Sequence, residues 1–189
     1  RAESQTAVVR RINPYSPDQK LIAFHSQRKF IISDLFHVIK DEYEERAKAV
    51  VVLLNSVFFL AYFFSGKEET TGRYIDVRQH DLYTMNLFPS NTEQIKRLVE
   101  VYEKYRKVEF PALREQLDMH FDDRYEWFWS YERRQKTSPP PVIEPNTLRL
   151  EFDMDVVKAT KADLNKNDIL RAYEAMVWDM IVTRGLRKD

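Results

Sequence analysis

The sequence predicts an α+β fold: a small β-sheet packed on a long apolar helix, followed by a helical tail. Three features lead there. Runs rich in β-branched and aromatic residues fill the N-terminal part of the chain. The segment from Ala47 to Phe64 is apolar nearly all round. Beyond Pro89, apolar residues recur at the 3.6-residue spacing of helices.

Taken in order, "AVVRRI" (Ala7 to Ile12) reads as a short strand that Pro14 and Pro17 interrupt. "KLIAFHS" (Lys20 to Ser26) and "KFIISDLFHVIK" (Lys29 to Lys40) read as two strands with a turn between them, hence a hairpin or meander. Ser33 and Asp34 mark a bulge or break inside the second run. Glu42, Glu44 and Glu45 crowd the start of the apolar helix, where the helix dipole favours negative charge. Gly66 suits its C-terminal end. A membrane span needs about 20 predominantly apolar residues. Ala47 to Phe64 is marginal in length and carries Asn55 and Ser56 at its centre, so a helix buried in a core is expected, with no membrane partner.

"TTGRYIDVRQHDL" (Thr70 to Leu82) alternates polar and apolar residues. It reads as a short strand that buries Ile75 and Val77 and presents polar groups on its other face. Thr92 to Leu117 has helical spacing, with Ile95, Leu98, Val99, Tyr102 and Tyr105 on one side, Asn91 as cap, and Pro111 dividing it. "FDDRYEWFWSYERRQK" (Phe121 to Lys136) is a second, aromatic-rich helix, in which Tyr125, Trp127, Phe128, Trp129 and Tyr131 read as packing residues rather than a base-stacking platform. "TSPPPVIEPN" reads as a linker, because clustered prolines cannot continue a helix. An acidic-capped helix is expected from Asp153 to Thr160. A longer one follows, with Ile169, Ala172, Tyr173, Met176, Met180 and Ile181 on one face, ended by Gly185. The expected organisation is a mixed α/β core over 1–90, a helical region over 91–137, the Pro-rich linker over 138–146 and a C-terminal helical segment over 147–189.

Composition narrows the function. The 189 residues are 43% hydrophobic and 32% charged, with a formal net charge of zero. No global field therefore draws the chain to nucleic acid or acidic lipid, and such binding needs a local basic patch. The absence of cysteine excludes disulfides and thiolate metal sites. Residue 1 is Arg and no signal-peptide pattern follows, so the chain reads as a piece of a longer, cytoplasmic protein. There is no Gly-rich phosphate loop, no GxGxxG fingerprint and no HExxH. His25, His37, His80 and His120 are scattered without metal-ligand spacing. The acids in "EFDMD" (Glu151 to Asp155) read as helix-start charges rather than a nuclease cluster.

Between His37 and Pro89 the ordered pieces carry a resemblance. "KFIISDLFHVIK", then "AKAVVVLLNSVFFLAYFF" built around "LLNS", then "TTGRYIDVRQHDLYTMNLFP", with its Gly, its apolar-Asp-apolar strand, its "DL" and its proline, together resemble the target-recognition region of adenine-N6 DNA methyltransferases, including those fused to restriction enzymes. The cofactor loop and the Asn/Asp-Pro-Pro-aromatic motif of the full enzymes are absent; "SPPPV" (Ser138 to Val142) does not replace the latter. The resemblance thus implies the DNA-reading part without the methyl-transfer part. No cofactor is expected in this chain, S-adenosylmethionine being held by the parent enzyme, and no catalytic residue or activity is expected here. Double-stranded DNA and the catalytic domain of the same polypeptide are the implied partners.

The expected DNA-binding residues are Lys67, Arg73, Tyr74, Arg78, Gln79 and His80. Arg and Gln suit base edges, by bidentate contact with guanine and adenine respectively. Lys20, Arg28 and Lys29 are further candidates for phosphate contact. Asn55 and Ser56 are expected to form a buried pair satisfied by a neighbouring loop, since a buried amide must find partners. Direct DNA contact is the other role open to them. The rival function is a helical protein-interaction module of a larger complex.

Overall fold

The computed structural model describes residues 4–13, 16–26, 33–65, 75–84, 89, 91–118, 126–128 and 140–185. It has the expected α+β architecture with a helical tail. The strands are β1 (Ser4–Val9), β2 (Arg11–Ile12), β3 (Ala23–Ser26), β4 (Phe36–Asp41) and β5 (Ile75–Asp76). The helices are α1 (Glu44–Leu54), α2 (Val57–Ser65), α3 (Gln79–Thr84), α4 (Thr92–Tyr105), α5 (Leu113–Gln116), α6 (Thr147–Thr160) and α7 (Lys166–Gly185).

The main sheet is antiparallel, ordered β3-β1-β4. Thr6 sits opposite His25 on one side and Ile39 on the other. The two runs expected to pair with each other as a hairpin therefore flank β1 instead. The central place goes to the strand whose residues are buried on both faces: Gln5 to Val8 are all buried. The run "AVVRRI" divides at Arg10, because β2 leaves the main sheet and pairs with β5, Arg11 opposite Asp76 and Ile12 opposite Ile75. Ser33 to Leu35 form the expected break before β4.

The apolar segment is two helices, not one. α1 and α2 meet at Asn55 and Ser56 with a bend of 57°. No Pro or Gly is responsible. The Asn55 Nδ2 and the Ser56 hydroxyl each donate to a carbonyl of the last turn of α1, Val51 at 3.0 Å and Leu53 at 2.7 Å. Such local bonds compete with helix continuation. Asp153 then caps the new helix, its Oδ1 accepting from the Val57 N–H at 2.7 Å. Among the described residues no single helix is long and apolar enough to cross a membrane.

The burial expected of this segment holds for both halves. α1 packs on the sheet with one side and on α4 with another. Val50 and Leu54 join a core shared with α2 and α7, while Ala49 and Val52 join Leu98, Phe110, Phe152 and Val156. α4 begins at the Asn91 cap, whose Oδ1 accepts from the Glu93 N–H at 2.9 Å, and ends before Pro111. α7 buries Ile169, Tyr173, Met176, Met180 and Ile181, the expected face. Ile143, within the Pro-rich segment, is buried in the same core as Val8 and Val57. α6 starts at Thr147, six residues before the expected Asp153, because Asn146 caps it, accepting from the Leu148 N–H. The acids of "EFDMD" consequently lie inside a helix and not at its start. Most of Phe121 to Lys136 lies outside the described residues; 126–128 are helical, with the Trp127 ring 5.2 Å from Trp178 and Phe128 packed against the core.

Candidate functional site

Two polar assemblies stand out, one buried and one open. The buried one begins with Asn55, 5% exposed. Ala23 lies on an edge strand and turns its N–H and C=O away from β1. The Asn55 amide meets both: Oδ1 accepts from Ala23 N at 3.1 Å, and Nδ2 donates to Ala23 O at 2.7 Å. Oδ1 also accepts from Ile22 N at 2.8 Å. One side chain thus closes a sheet edge as a further strand would. Asn55 is thus satisfied as expected, by Ile22 in the segment before β3 and by Ala23 on the strand itself, while the Ser56 hydroxyl bonds Leu53 within α1.

The second part of the buried assembly is invisible in the sequence. Arg149 and Asp153 lie one turn apart on α6, both with essentially no exposure. Arg149 Nε donates to Asp153 Oδ2 at 2.9 Å and to the Tyr173 hydroxyl at 3.1 Å, and Nη1 donates to Gln116 Oε1 at 3.3 Å. The Tyr173 hydroxyl donates to the same Asp153 oxygen. Gln116 Nε2 in turn donates to the carbonyls of Lys20 and Pro111. Burial alone would lower the Arg149 pKa, but Asp153 and Tyr173 hold it above its ordinary value, so the guanidinium stays charged. Burial raises the Tyr173 hydroxyl well above its ordinary range, which keeps it a donor. Burial also pushes the Asp153 carboxyl up, against the pull of Arg149, Tyr173 and the Val57 N–H. This network ties α2, α5, α6 and α7 together. An Arg and an Asp four apart on an exposed face have the same spacing, so the sequence offered no signal to separate them.

The open assembly is a cleft of about 370 Å³ where the two sheets diverge. Arg10 is its corner. Its backbone N–H donates to Leu35 O at 2.8 Å, and its carbonyl accepts from Val77 N at 2.8 Å. Its Nη1 donates to Asp34 O at 3.0 Å. His37, from β4, bonds the Val77 carbonyl through Nε2 at 2.7 Å. Arg11 pairs with Asp76 across the β2–β5 ribbon at 3.2 Å. Arg78 and Gln79 complete the cleft.

Of the expected DNA-binding residues, Arg78 and Gln79 border this cleft, and both are exposed. The strand expected to carry them spans only Ile75 and Asp76. Gln79 and His80 open α3 instead, because Asp81 Oδ2 accepts the Arg78 N–H at 3.0 Å and starts a helix there. His80 is exposed on α3 but does not border the cleft. Gln79 Nε2 donates to Tyr83 Oη, one turn on. Lys67, Arg73 and Tyr74 lie outside the described residues, as do Gly66, Arg28 and Lys29. Lys20 is ion-paired with Glu109 at 2.6 Å. Arg10, Arg11 and His37 were not expected at the site. The visible signal for the two arginines was the "RR" that interrupts an otherwise apolar strand; His37 had none.

Among the described residues no group of three or more His, Asp or Glu has the proximity to hold a metal ion. No protein family, curated protein or solved structure matches the chain.

Proposed function

We propose that this chain is the DNA target-recognition part of an adenine-N6 DNA methyltransferase of a restriction-modification system, acting in the cytoplasm. Its partners are double-stranded DNA and a catalytic domain of the same polypeptide, which holds S-adenosylmethionine and flips the target adenine. The observation that supports this reading is the cleft bordered by Arg10, Arg11, Arg78 and Gln79. In a chain of zero net charge, this open surface sets Arg10, Arg11 and Arg78 against Asp34 and Asp76, the last paired with Arg11, and so keeps an excess of positive charge. Arg10 directly follows the central strand β1 and Arg11 sits on β2, paired with β5; a group held on paired strands is aimed better than one on a loop. Gln79 supplies the adenine-type contact and Arg78 the guanine-type or phosphate contact.

A second reading, a protein-interaction module, is favoured by one feature. Phe24 and Val38, each opposite Ala7 in the register, are partly exposed on one sheet face, at 42% and 36%. Substituting Arg10, Arg11, Arg78 and Gln79 with Ala separates the two. Binding to duplex DNA, followed by fluorescence anisotropy across salt concentrations, should weaken. The salt slope should flatten by about 1 for every phosphate that these side chains neutralise. In the full enzyme, removal of the Gln79 amide should relax discrimination at one base pair. Unchanged affinity, slope and discrimination would remove the cleft from DNA reading and leave the interaction module in front.

A further inference from the structure

A cavity of about 180 Å³ lies between β3, α1, α4 and α6, apart from the cleft. Its rim is exposed: Leu21, Phe24, Arg106 and Val108 line the mouth. Its walls are aromatic, with Tyr102, Phe110 and Phe152 among them. Two buried polar atoms on its lining residues have no hydrogen-bond partner among the described residues, Arg149 Nη2 and His25 Nε2. Arg149 is 1% exposed, and its Nε and Nη1 are already engaged by Asp153, Tyr173 and Gln116. Leaving a buried donor unmet is costly, and a native fold keeps few such groups.

Size and chemistry together select the occupant. A dry engineered cavity of about 150 Å³ takes up benzene, so this one suits a single ring. The guanidinium offers only donors, so the ring must carry an acceptor oxygen. Asp153 already balances the Arg149 charge, which favours an uncharged carbonyl over a carboxylate. Burial holds the His25 imidazole below its ordinary pKa, and the neutral ring can donate or accept. We infer that the cavity is a binding site for a monocyclic aromatic molecule bearing an uncharged carbonyl group. The site is independent of DNA reading.

The probes are benzamide, benzoate and toluene, titrated into the chain and followed by amide and side-chain chemical shifts. Benzamide should saturate with a Kd of about 1 mM or tighter, at least about tenfold below that of toluene. Benzoate should bind more weakly than benzamide. Val108→Trp and Leu21→Trp, both at exposed lining positions, should each abolish benzamide binding while leaving the thermal midpoint in place. Toluene binding as tightly as benzamide would show that the two orphaned atoms play no part. Benzoate binding more tightly would overturn the uncharged class. Failure of benzamide to saturate, or unchanged binding in both Trp variants, would remove the site.

Discussion

Replacing Asn55 with Leu keeps the volume and removes the amide. Three backbone groups are then left without a partner: the N–H groups of Ile22 and Ala23, at 2.8 and 3.1 Å, and the Ala23 carbonyl, at 2.7 Å. Ile22 and Ala23 are 2% and 1% exposed, so water does not replace the amide. At about 1–3 kcal/mol for each orphaned buried group, the destabilisation has a floor of about 3 kcal/mol. Against a total of about 5–15 kcal/mol for a domain, that is a large share. Urea unfolding followed by far-UV circular dichroism should show the midpoint falling accordingly. Asn55→Asp gives a sharper test. A carboxylate still accepts from the two N–H groups but cannot donate to the Ala23 carbonyl, whereas the protonated acid can. Burial at this 5% exposed position and the facing Ala23 carbonyl raise the pKa of the introduced acid, against the pull of the two N–H groups. Its stability is fully present below the unfolded carboxylate pKa of about 3.9 and is lost as pH rises through the folded value. Relative to wild type, the Asp variant should be least damaged in acid and most damaged at neutral pH. A Leu variant within about 1 kcal/mol of wild type, or an Asp variant whose deficit does not depend on pH, would refute the closure of the β3 edge by this amide.

Two further perturbations test the buried polar groups. Asp153→Ala strands the Arg149 charge and uncaps α2, and should cost about 3–5 kcal/mol in urea unfolding. The double variant Arg149→Met, Asp153→Leu should recover much of that stability, since a buried pair is often replaceable by apolar residues; a double variant as damaged as the sum of the singles would contradict this. Burial lowers the His25 pKa from its ordinary 6.5, with Glu44, Glu103 and Lys48 the charges that face it. The unfolded chain then takes up a proton before the folded one does. The contribution is present above 6.5 and declines as pH falls from there toward the lowered folded value. His25→Phe should flatten the stability profile across that interval, measured as thermal midpoint against pH, and an unchanged slope would place the imidazole in solvent.

Periodicity made the helices legible, because a face buried at every third or fourth position writes itself into the sequence. The α7 face at Ile169, Tyr173 and Met176 was readable this way; the Asn91 cap was readable from its residue type, and the burial of α1 and α2 from a run apolar on nearly every side. Pairing order was not. Lys20 to Ser26 and Lys29 to Lys40 are adjacent in sequence, and only the burial of β1 on both faces puts that strand between them. The break at Asn55 and Ser56 was equally hidden. Neither residue forbids a helix; their local bonds to Val51 and Leu53 are joined by bonds to Ala23 and from Val57 to Asp153, partners distant in sequence. Gln79 read as a strand residue because Ile75 and Val77 alternate around Asp76. The Asp81 bond to the Arg78 N–H ends that alternation after two residues of strand.

The cleft and the buried groups are mechanically connected. Asn55 fixes Ala23 on the outer edge of β3, and β3 holds β1 through the register that sets Val8 opposite Ala23. β1 runs directly into Arg10, whose backbone bonds both Leu35 and Val77. A shift of β1 would therefore move the corner on which Arg10, His37 and Arg78 converge. The placement of exposed cationic groups in this fold rests on buried amide and backbone bonds more than on the groups themselves. Arg11 illustrates the point: its surface pair with Asp76, at 3.2 Å and well exposed, contributes about 0–1 kcal/mol. The β2–β5 ribbon keeps its position because Ile12, fully buried, anchors it in the same core as Val8 and Leu54.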